Sequence, residues 1–297
     1  MLKELLILFA IVVIVCFLVR IICTTILPFI FKEQNIYQKY GKGYAVVTGG
    51  TDGIGLLVVK KLLKQGIDVM VVGLKTNKIQ KEDLPENSIL YECDLCDQKA
   101  NDYLCDWITC NKPILMVHAA GMCKVEHFDE TCQPGNYIDA YIKSLIRLTS
   151  AFLKIRKENG GLVFFSSQVS LIVSPFGALY ASAKAFIAQF ANSISAEYPN
   201  IDILCLRPGA VVRTSFFNLS PDNWYIRFVQ FIGNNPETIV SIIFKALGRI
   251  TMVDIGILTV LTRLFVWIFD ENVVKNVGRI AAIPLRRTVE NRKKFIN

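Results

Sequence analysis

The pattern of apolar and polar residues divides this chain of 297 residues into a central part and two ends. From Tyr44 to about Leu206, short apolar runs alternate with segments that have helical periodicity. The first such unit is an apolar run from Tyr44, a turn with several glycines, and a helical pattern over residues 56–65. This alternation predicts an α/β fold, with a parallel sheet covered by helices on both faces.

The amino-terminal end has a different pattern. Residues 5–19 are all apolar, Arg20 interrupts them, and a mostly apolar stretch continues over residues 21–31. A helix needs about twenty apolar residues to cross a bilayer; residues 5–27 have that length, and Arg20 can reach the interface from a tilted helix. We expect Pro28 to end this helix. Because no small-x-small cleavage site follows the run, residues 1–31 predict a retained membrane anchor rather than a signal peptide.

The carboxyl-terminal end contains a second apolar stretch, residues 255–269, which includes Arg263. It is short for a membrane span, so it predicts either a helix that docks on a membrane interface or a helix of the core or of an oligomer interface. The basic tail at residues 286–294 and the net charge of +8 fit an anionic membrane face or an acidic head group on a substrate. They do not indicate nucleic-acid binding, because no recognised module accompanies the charge.

Candidate catalytic chemistry lies between residues 167 and 184. Tyr180 and Lys184 are four residues apart, which places them on one face of a helix, and Ser167 precedes Tyr180 by thirteen residues. A neighbouring ammonium group favours phenolate and is expected to lower the pKa of Tyr180. A serine at the end of a neighbouring strand can hold the oxygen that the tyrosine protonates. Given a hydride donor, such a site reduces a carbonyl.

A candidate site for that donor follows the apolar run from Tyr44. Gly49, Gly53 and Gly55 allow a tight turn that a pyrophosphate can approach, and the amino terminus of the next helix favours its charge. The spacing G-x-x-x-G-x-G differs from the general dinucleotide fingerprint G-x-G-x-x-G. About twenty residues after such a turn, an acid selects NAD and a basic group selects NADP. This chain has Lys75 there and no acid until Glu82, which favours NADP(H).

Taken together, these motifs resemble the short-chain dehydrogenase/reductases, whose pattern is T-G-x-x-x-G-x-G followed by a serine and Y-x-x-x-K; residues 44–214 match it in order. The resemblance implies a single Rossmann-type, doubly wound parallel sheet. It implies Ser167 rather than the neighbouring Ser166, with Tyr180 and Lys184, as catalytic residues, and no metal. The implied cofactor-binding residues are Thr48, Gly49, Thr51, Asp52, Gly53, Ile54, Gly55, Lys75, Asp94, Ala120, Gly121, Tyr180, Lys184, Pro208, Gly209 and Thr214.

Three parts follow from these patterns: a membrane anchor at residues 1–31, an NADP-binding reductase domain at 40–250, and a hydrophobic docking segment with a basic tail at 251–297. The anchor, residues 39–55 and the run Asn-Pro-Glu-Thr at 235–238 resemble the branch of very-long-chain 3-oxoacyl-CoA reductases and 17-beta-hydroxysteroid dehydrogenases of type 12. That branch implies NADPH-dependent reduction of a 3-oxoacyl-CoA in fatty-acid elongation. It also implies the endoplasmic reticulum membrane, with the catalytic domain facing the cytosol and an elongation complex as partner. A homodimer, a 3-ketodihydrosphingosine substrate and a 17-beta-ketosteroid substrate stay open.

Two departures from the family pattern raise an alternative of another class. Tyr141 stands where the family usually has an asparagine that organises a water chain to the lysine, and H-A-A-G at 118–121 replaces N-N-A-G. We expect His118 to make a structural hydrogen bond rather than to act in catalysis. If Tyr141 displaces the water chain, the protein is a catalytically impaired membrane scaffold of the same fold.

The nine cysteines do not form an evident disulfide framework. Cys93, Cys96, Cys105 and Cys110 have spacings that loosely resemble a zinc site. No step of the implied reaction needs a metal, so we expect reduced thiols in a domain that faces the cytosol.

Overall fold

The computed structural model describes residues 2–131, 133–156, 158–212, 227–228, 231–286 and 289. Seven strands in this part of the chain form one sheet: β1 (Tyr44–Thr48), β2 (Asp68–Gly73), β3 (Ile89–Glu92), β4 (Leu115–His118), β5 (Gly161–Phe165), β6 (Asp202–Pro208) and β7 (Met252–Ile255). Their order is β3-β2-β1-β4-β5-β6-β7, and all neighbouring strands are parallel. The predicted α/β fold is confirmed.

Helices cover both faces of this sheet. Alternate side chains of a strand point to opposite faces, so Val47 joins one core and Val46 joins the other. Helices α3, α4 and α9 pack on the first core, and α5, α7 and α8 pack on the second. The helices are α1 (Leu2–Ile21), α2 (Leu27–Ile30), α3 (Ile36–Tyr40), α4 (Gly53–Lys64), α5 (Gln98–Asn111), α6 (Gly135–Ile138), α7 (Ser144–Ile155), α8 (Ala178–Glu197), α9 (Pro236–Ala246), α10 (Ile257–Ile268) and α11 (Glu271–Ala281).

The strand order creates a crevice at one edge of the sheet. The chain builds outward from β1 to β3 and then adds β4 on the other side of β1. In open α/β sheets, ligands bind outside the carboxyl ends of the strands where the order reverses in this way. The glycine turn after β1 and the segment after β4 both begin at this point.

The amino-terminal helix extends from the domain. Helix α1, a π-helical turn at Ile22–Ile26 and α2 follow one another without a break. Lys3–Ile30 is long and apolar enough to cross a membrane, and its most apolar stretch is not buried in the rest of the protein. The predicted end at Pro28 is wrong. Pro28 lies in the first turn of α2, which follows the π-helical turn, and the helix continues to Ile30.

Contacts near the end of this helix attach it to the domain. The ring of Phe17 stacks on Trp267 with 5.0 Å between ring centroids. The ammonium group of Lys245 donates a hydrogen bond to the carbonyl oxygen of Phe29 at 3.0 Å, and Arg249 donates to that of Lys32 at 2.9 Å. The apolar helix is therefore held against α9 and α10.

Strand β7 was not predicted from the sequence, and it contains a buried charge. Asp254 is fully buried between Arg207 of β6 and Arg263 of α10. The Nε atom of Arg207 lies 2.8 Å from its Oδ1 atom, and Nε of Arg263 donates to its Oδ2 atom at 2.5 Å. Residues 251–297 thus begin with a strand of the sheet, while the proposed division into three parts stays a prediction.

Candidate active site

Glycines let the turn between β1 and α4 pack tightly against itself and against the segment after β4. Gly49 has a φ of +68°, and a Cβ atom there would lie 2.6 Å from the backbone nitrogen of Ala120. A Cβ atom at Gly55 would lie 2.1 Å from the carbonyl oxygen of Gly49. Asp52 caps α4 by accepting a hydrogen bond from the N–H of Gly53 at 2.6 Å. A helix amino terminus behind such a turn fits the pyrophosphate of a nicotinamide dinucleotide.

Other predicted cofactor positions border the same crevice. The hydroxyl group of Thr48 accepts a long hydrogen bond from the N–H of Ala120, at 3.4 Å. Thr51 is buried, and a Cβ atom at Gly73 would lie 2.6 Å from its Oγ1 atom, so β2 passes close to the turn. Two further predicted positions are Ile54, in the first turn of α4, and Gly121, which follows Ala120.

Two polar residues that are predicted to bind the cofactor follow the carboxyl ends of β2 and β3. Lys75 and Asp94 follow these two strands, and both are exposed. The structure adds Lys78, which forms an ion pair with Asp52. The sequence pattern does not reveal this lysine, because it lies 26 residues from its partner. Lys78 neutralises the acid of the glycine turn.

The three predicted catalytic residues come together at the crevice. Ser167 follows β5 by two residues, and Tyr180 and Lys184 lie in the first two turns of α8. The hydroxyl groups of Ser167 and Tyr180 are hydrogen-bonded to each other. The Nζ atom of Lys184 lies 5.5 Å from the centre of the Tyr180 ring and donates to the carbonyl oxygen of Phe165 at 2.7 Å. Ser166 instead donates to the backbone carbonyl of Lys184 at 2.6 Å.

Burial controls the ionisation of the two titratable residues. Desolvation raises the pKa of Tyr180 above its ordinary value, and the neighbouring Cys123 adds to this effect, while the hydrogen bond with Ser167 opposes it. Desolvation lowers the pKa of Lys184 to about 7. The prediction that the pKa of Tyr180 is lowered is therefore wrong. Removing a phenolate from water costs more free energy than the surrounding groups contribute to its stabilisation. Tyr180 is a protonated phenol near neutral pH, and hence a proton donor.

Lys184 makes the stability of the protein depend on pH. Its pKa is 10.5 in the unfolded chain and about 7 in the fold. Below pH 7 the fold bears the full cost of a buried ammonium group. Between these two values the unfolded chain binds more protons than the fold does, so the free energy of unfolding increases with pH. We expect the Tm of the wild type, relative to that of Lys184→Met, to rise between pH 7 and about pH 9.

The exposed Lys143 provides the control for this measurement. Lys143→Met removes the same kind of side chain from the surface, so its Tm relative to the wild type gives the baseline for the change measured with Lys184→Met. A constant or falling difference for Lys184→Met would show that Lys184 titrates near its ordinary value in the fold.

Tyr141 faces Lys184 with its ring rather than with its hydroxyl group. It lies in a π-helical turn, Asp139–Lys143, and is buried. The ring centre is 4.5 Å from the Nζ atom of Lys184. The hydroxyl group is hydrogen-bonded to both the backbone N–H and the carbonyl oxygen of Met122 at 2.5 Å, and a Cβ atom at Gly121 would lie 2.7 Å from it. Tyr141 therefore stabilises the ammonium form of Lys184 through its ring and fixes the segment after β4.

His118 has the structural role that the sequence predicts. It is buried, its ring stacks on Phe164, and its Nε2 atom lies 3.1 Å from the hydroxyl oxygen of Thr149. Burial lowers the pKa of His118 to about 3. The imidazole is neutral at physiological pH and joins β4 to α7.

The segment after β6 lies next to the loop that carries Ser167. Pro208 ends β6, and a Cβ atom at Gly209 would lie 3.0 Å from the side-chain oxygen of Gln168. Gln168 follows Ser167 and donates a hydrogen bond to the hydroxyl oxygen of Thr262 in α10 at 2.6 Å. Helix α10 thus supports the loop that carries Ser167. The predicted position Thr214 lies outside the described residues.

A cavity of about 40 Å³ lies beside Tyr180, and a second of about 120 Å³ adjoins it. Tyr137 lines both cavities and was missed, although it precedes Tyr141 by four residues and so shares its helical face. Glu126 lines the first cavity, and its Oε1 atom is buried without a hydrogen-bond partner among the described residues. Tyr137 and Glu126 thus place a phenol and a carboxyl group on the cavity wall.

Against the larger effect of burial, Cys205 and Cys123 among the described cysteines lie close enough to Lys184 to raise its pKa. The four cysteines with zinc-like spacing, Cys93, Cys96, Cys105 and Cys110, are free thiols. Among the described residues, no group of three or more His, Cys, Asp or Glu side chains is placed to hold a metal ion.

Comparison with known proteins agrees with this site. The family model for short chain dehydrogenase matches residues 43–223. The chain belongs to the short-chain dehydrogenase family. This short-chain dehydrogenase is therefore an oxidoreductase, and its family uses nicotinamide cofactors.

Three relatives show the range of named activities. The chain is 24% identical over 229 residues to the 7beta-hydroxysteroid dehydrogenase of Mediterraneibacter gnavus. That alignment covers 73% of this chain and 86% of the relative. It is 25% identical over 241 residues to the 17-beta-hydroxysteroid dehydrogenase type 3 of Danio rerio, with coverages of 73% and 78%. It is 28% identical over 186 residues to the very-long-chain 3-oxoacyl-CoA reductase of Kluyveromyces lactis, with coverages of 54% and 53%.

Solved structures share the fold. A 7beta-hydroxysteroid dehydrogenase superposes with a TM-score of 0.73 at 19% identity, covering 82% of this chain and 99% of the other. A short chain dehydrogenase from Burkholderia cenocepacia in complex with NADP superposes with a TM-score of 0.63 at 20% identity, covering 73% and 97%. This short-chain dehydrogenase thus shares the fold of nearly the whole of both structures.

Proposed function

We propose that the protein is an NADPH-dependent reductase that converts a 3-oxoacyl-CoA to a 3-hydroxyacyl-CoA during elongation of very-long-chain fatty acids. The contact of Ser167, Tyr180 and Lys184 beside a glycine turn that fits a dinucleotide carries the reaction type. The relative named very-long-chain 3-oxoacyl-CoA reductase supports the substrate class. The apolar helix Lys3–Ile30 also supports it, because a membrane anchor suits a lipid substrate.

Each of the three residues has a separate role in the proposed mechanism. NADPH, when bound, supplies the hydride for the carbonyl carbon. Tyr180 donates its phenolic proton to the carbonyl oxygen, and its raised pKa keeps that proton available at neutral pH. The Ser167 hydroxyl orients the same oxygen through a hydrogen bond. Lys184, in its ammonium form, stabilises the phenolate that proton transfer leaves behind.

The basic groups at the end of β2 support NADPH rather than NADH. Lys75 lies where dinucleotide folds discriminate between the ribose 2′-hydroxyl and the 2′-phosphate. The acid of the glycine turn, Asp52, is neutralised by Lys78, so it does not oppose a phosphate. The proposed cofactor residues are those of the glycine turn, the ends of β2, β3, β4 and β6, and Tyr180 and Lys184.

The proposal is tested with the purified full-length protein, by following NADPH or NADH oxidation with a long-chain 3-oxoacyl-CoA, 3-ketosphinganine and a 17-ketosteroid. We expect the highest kcat/KM with the 3-oxoacyl-CoA and at least about a tenfold preference for NADPH. A higher kcat/KM with 3-ketosphinganine would reassign the substrate, and a preference for NADH would refute the cofactor. Binding of NADPH without oxidation by any of the three would favour the scaffold alternative.

A hydroxysteroid is the second candidate substrate. The relatives from Mediterraneibacter gnavus and Danio rerio are both named hydroxysteroid dehydrogenases, and they cover more of this chain than the 3-oxoacyl-CoA reductase does. The ketosteroid in the same assay decides between the two substrates.

The proposed location is the endoplasmic reticulum membrane, with the catalytic domain in the cytosol. Residues 1–31 would anchor the protein, residues 40–250 would catalyse the reaction, and residues 251–297 would dock on the membrane. The free thiols among the described cysteines support a reducing compartment. Other enzymes of fatty-acid elongation and a second copy of this chain are the proposed partners.

A further inference from the structure

A helix on the surface of a water-soluble domain buries its apolar side chains and exposes its polar ones. Helix α10 has the reverse distribution. Its buried residues are polar: Thr259 is fully buried and Arg263 is 7% exposed. Its outward face is apolar, with Ile257 exposed by 68%, Leu261 by 53% and Ile268 by 62%. A helix is stable in water when its apolar face is covered. The outward face of α10 therefore matches an apolar environment.

Helix α11 continues this surface with an amphipathic pattern. Val274 is buried against the domain, whereas Val273, Val277 and Ile280 are exposed along one side. A Cβ atom at Gly278 would lie 3.2 Å from the carbonyl oxygen of Val173, so α11 approaches the loop that leads to α8. The polar side of α11 carries Lys275, Asn276 and Arg279, all of which are exposed. Apolar and basic sides on one helix are typical of a helix that lies in a membrane interface.

Contacts with the amino-terminal helix identify the environment of this surface. Phe17 stacks on Trp267 at the end of α10, so the outward face of α10 continues the apolar surface of Lys3–Ile30. Arg20, three residues later, interacts electrostatically with Asp254 and Arg263. The charged layer of the domain thus meets the helix at Arg20, with apolar residues on the side of Phe17. A tryptophan at such a boundary is typical of the lipid–water interface.

We propose that α10 and α11 form a lipid-contacting surface that lies in the interfacial layer of the bilayer beside the anchor. It rests on the proposed anchor and is independent of the proposed reaction. The basic groups of α11 and the basic tail at residues 286–294 complement anionic lipid head groups. The surface consists of Ile257, Leu261, Trp267, Ile268, Val273, Val277 and Ile280.

The test uses full-length protein in vesicles of phosphatidylcholine and phosphatidylserine at a ratio of about 4 to 1, with tryptophan fluorescence quenched by brominated phosphatidylcholine. Trp267→Phe keeps the stacking ring and reports the signal of the other tryptophans. In that background, Val277→Trp places a tryptophan on the apolar side of α11, and Lys275→Trp places one on the polar side. We expect brominated lipid to quench Val277→Trp at least about threefold more than Lys275→Trp, and aqueous acrylamide to show the reverse order.

These results test the lipid-contacting surface and not the proposed reaction, because none of the measurements depends on turnover. Equal quenching of the two introduced tryptophans by brominated lipid would overturn the proposal. Quenching of Val277→Trp by neither reagent would also overturn it and would indicate a second copy of the chain as the occupant. If Val277→Trp does not fold, the comparison of wild type with Trp267→Phe remains. If Trp267→Phe loses most of the quenching by brominated lipid, the lipid-contacting surface is supported. If its quenching equals that of the wild type, the proposal is overturned.

Discussion

Tyr180→Phe is expected to lower kcat for carbonyl reduction by about 100-fold or more, because it removes the proton donor of the reaction. The phenylalanine ring keeps the packing of Tyr180 against Tyr141, whose ring centroid is 6.0 Å away. Affinity for NADPH is therefore expected to change by less than about threefold. Steady-state kinetics and a fluorescence titration with NADPH measure the two effects separately.

Tyr103→Phe is the matched control, since this tyrosine of α5 is 45% exposed and lies outside the crevice. It is expected to retain the kcat of the wild type. If Tyr180→Phe also retained that kcat, another group would have to protonate the carbonyl oxygen, and the assignment of Tyr180 would be wrong.

Asp254→Asn is expected to have the largest effect on stability. The carboxylate of Asp254 is fully buried between Arg207 and Arg263, which are 8% and 7% exposed. Neutralising it leaves two guanidinium groups buried side by side. Breaking a buried ion pair in this way costs about 3–5 kcal/mol, which corresponds to a loss in Tm on the order of 10 °C. Thermal unfolding in detergent measures the loss.

The control is Asp139→Asn, which removes one partner of a surface pair with Lys143 at 3.5 Å. Exposed pairs contribute at most about 1 kcal/mol, so its Tm is expected to stay within a few degrees of the wild type. Equal losses for the two variants would mean that the buried cluster contributes no more than an ordinary surface pair.

The candidate site could be predicted largely because its motifs are local. Tyr180 and Lys184 share a helix face through their spacing, and the glycines at 49, 53 and 55 act within one turn. The order of strands and helices brings Ser167 to the same edge of the sheet. Each of these relations depends on the fold class and on short-range geometry, and a sequence pattern predicts both.

Features that depend on contacts between distant segments could not be predicted. The ion pair of Lys78 with Asp52 joins two loops, and the cluster around Asp254 joins β6, β7 and α10. The pKa of Tyr180 depends on how completely the fold excludes water from it, which the spacing to Lys184 does not determine. Strand β7 lies beyond the alternating segments, and its position at the edge of the sheet is defined by pairing with β6, which is distant in the sequence.

The apolar face of α10 also affects how the protein behaves outside a bilayer. Besides the stacking of Trp267 on Phe17, this face is oriented by contacts within the domain, such as the hydrogen bond of Gln168 with Thr262 and the ion pair of Arg263 with Asp254. A chain shortened to begin at residue 32 would therefore still present Ile257, Leu261 and Ile268 to water. Exposed apolar patches of this kind promote self-association. Detergent, rather than removal of the amino-terminal helix, is what keeps such a protein monodisperse.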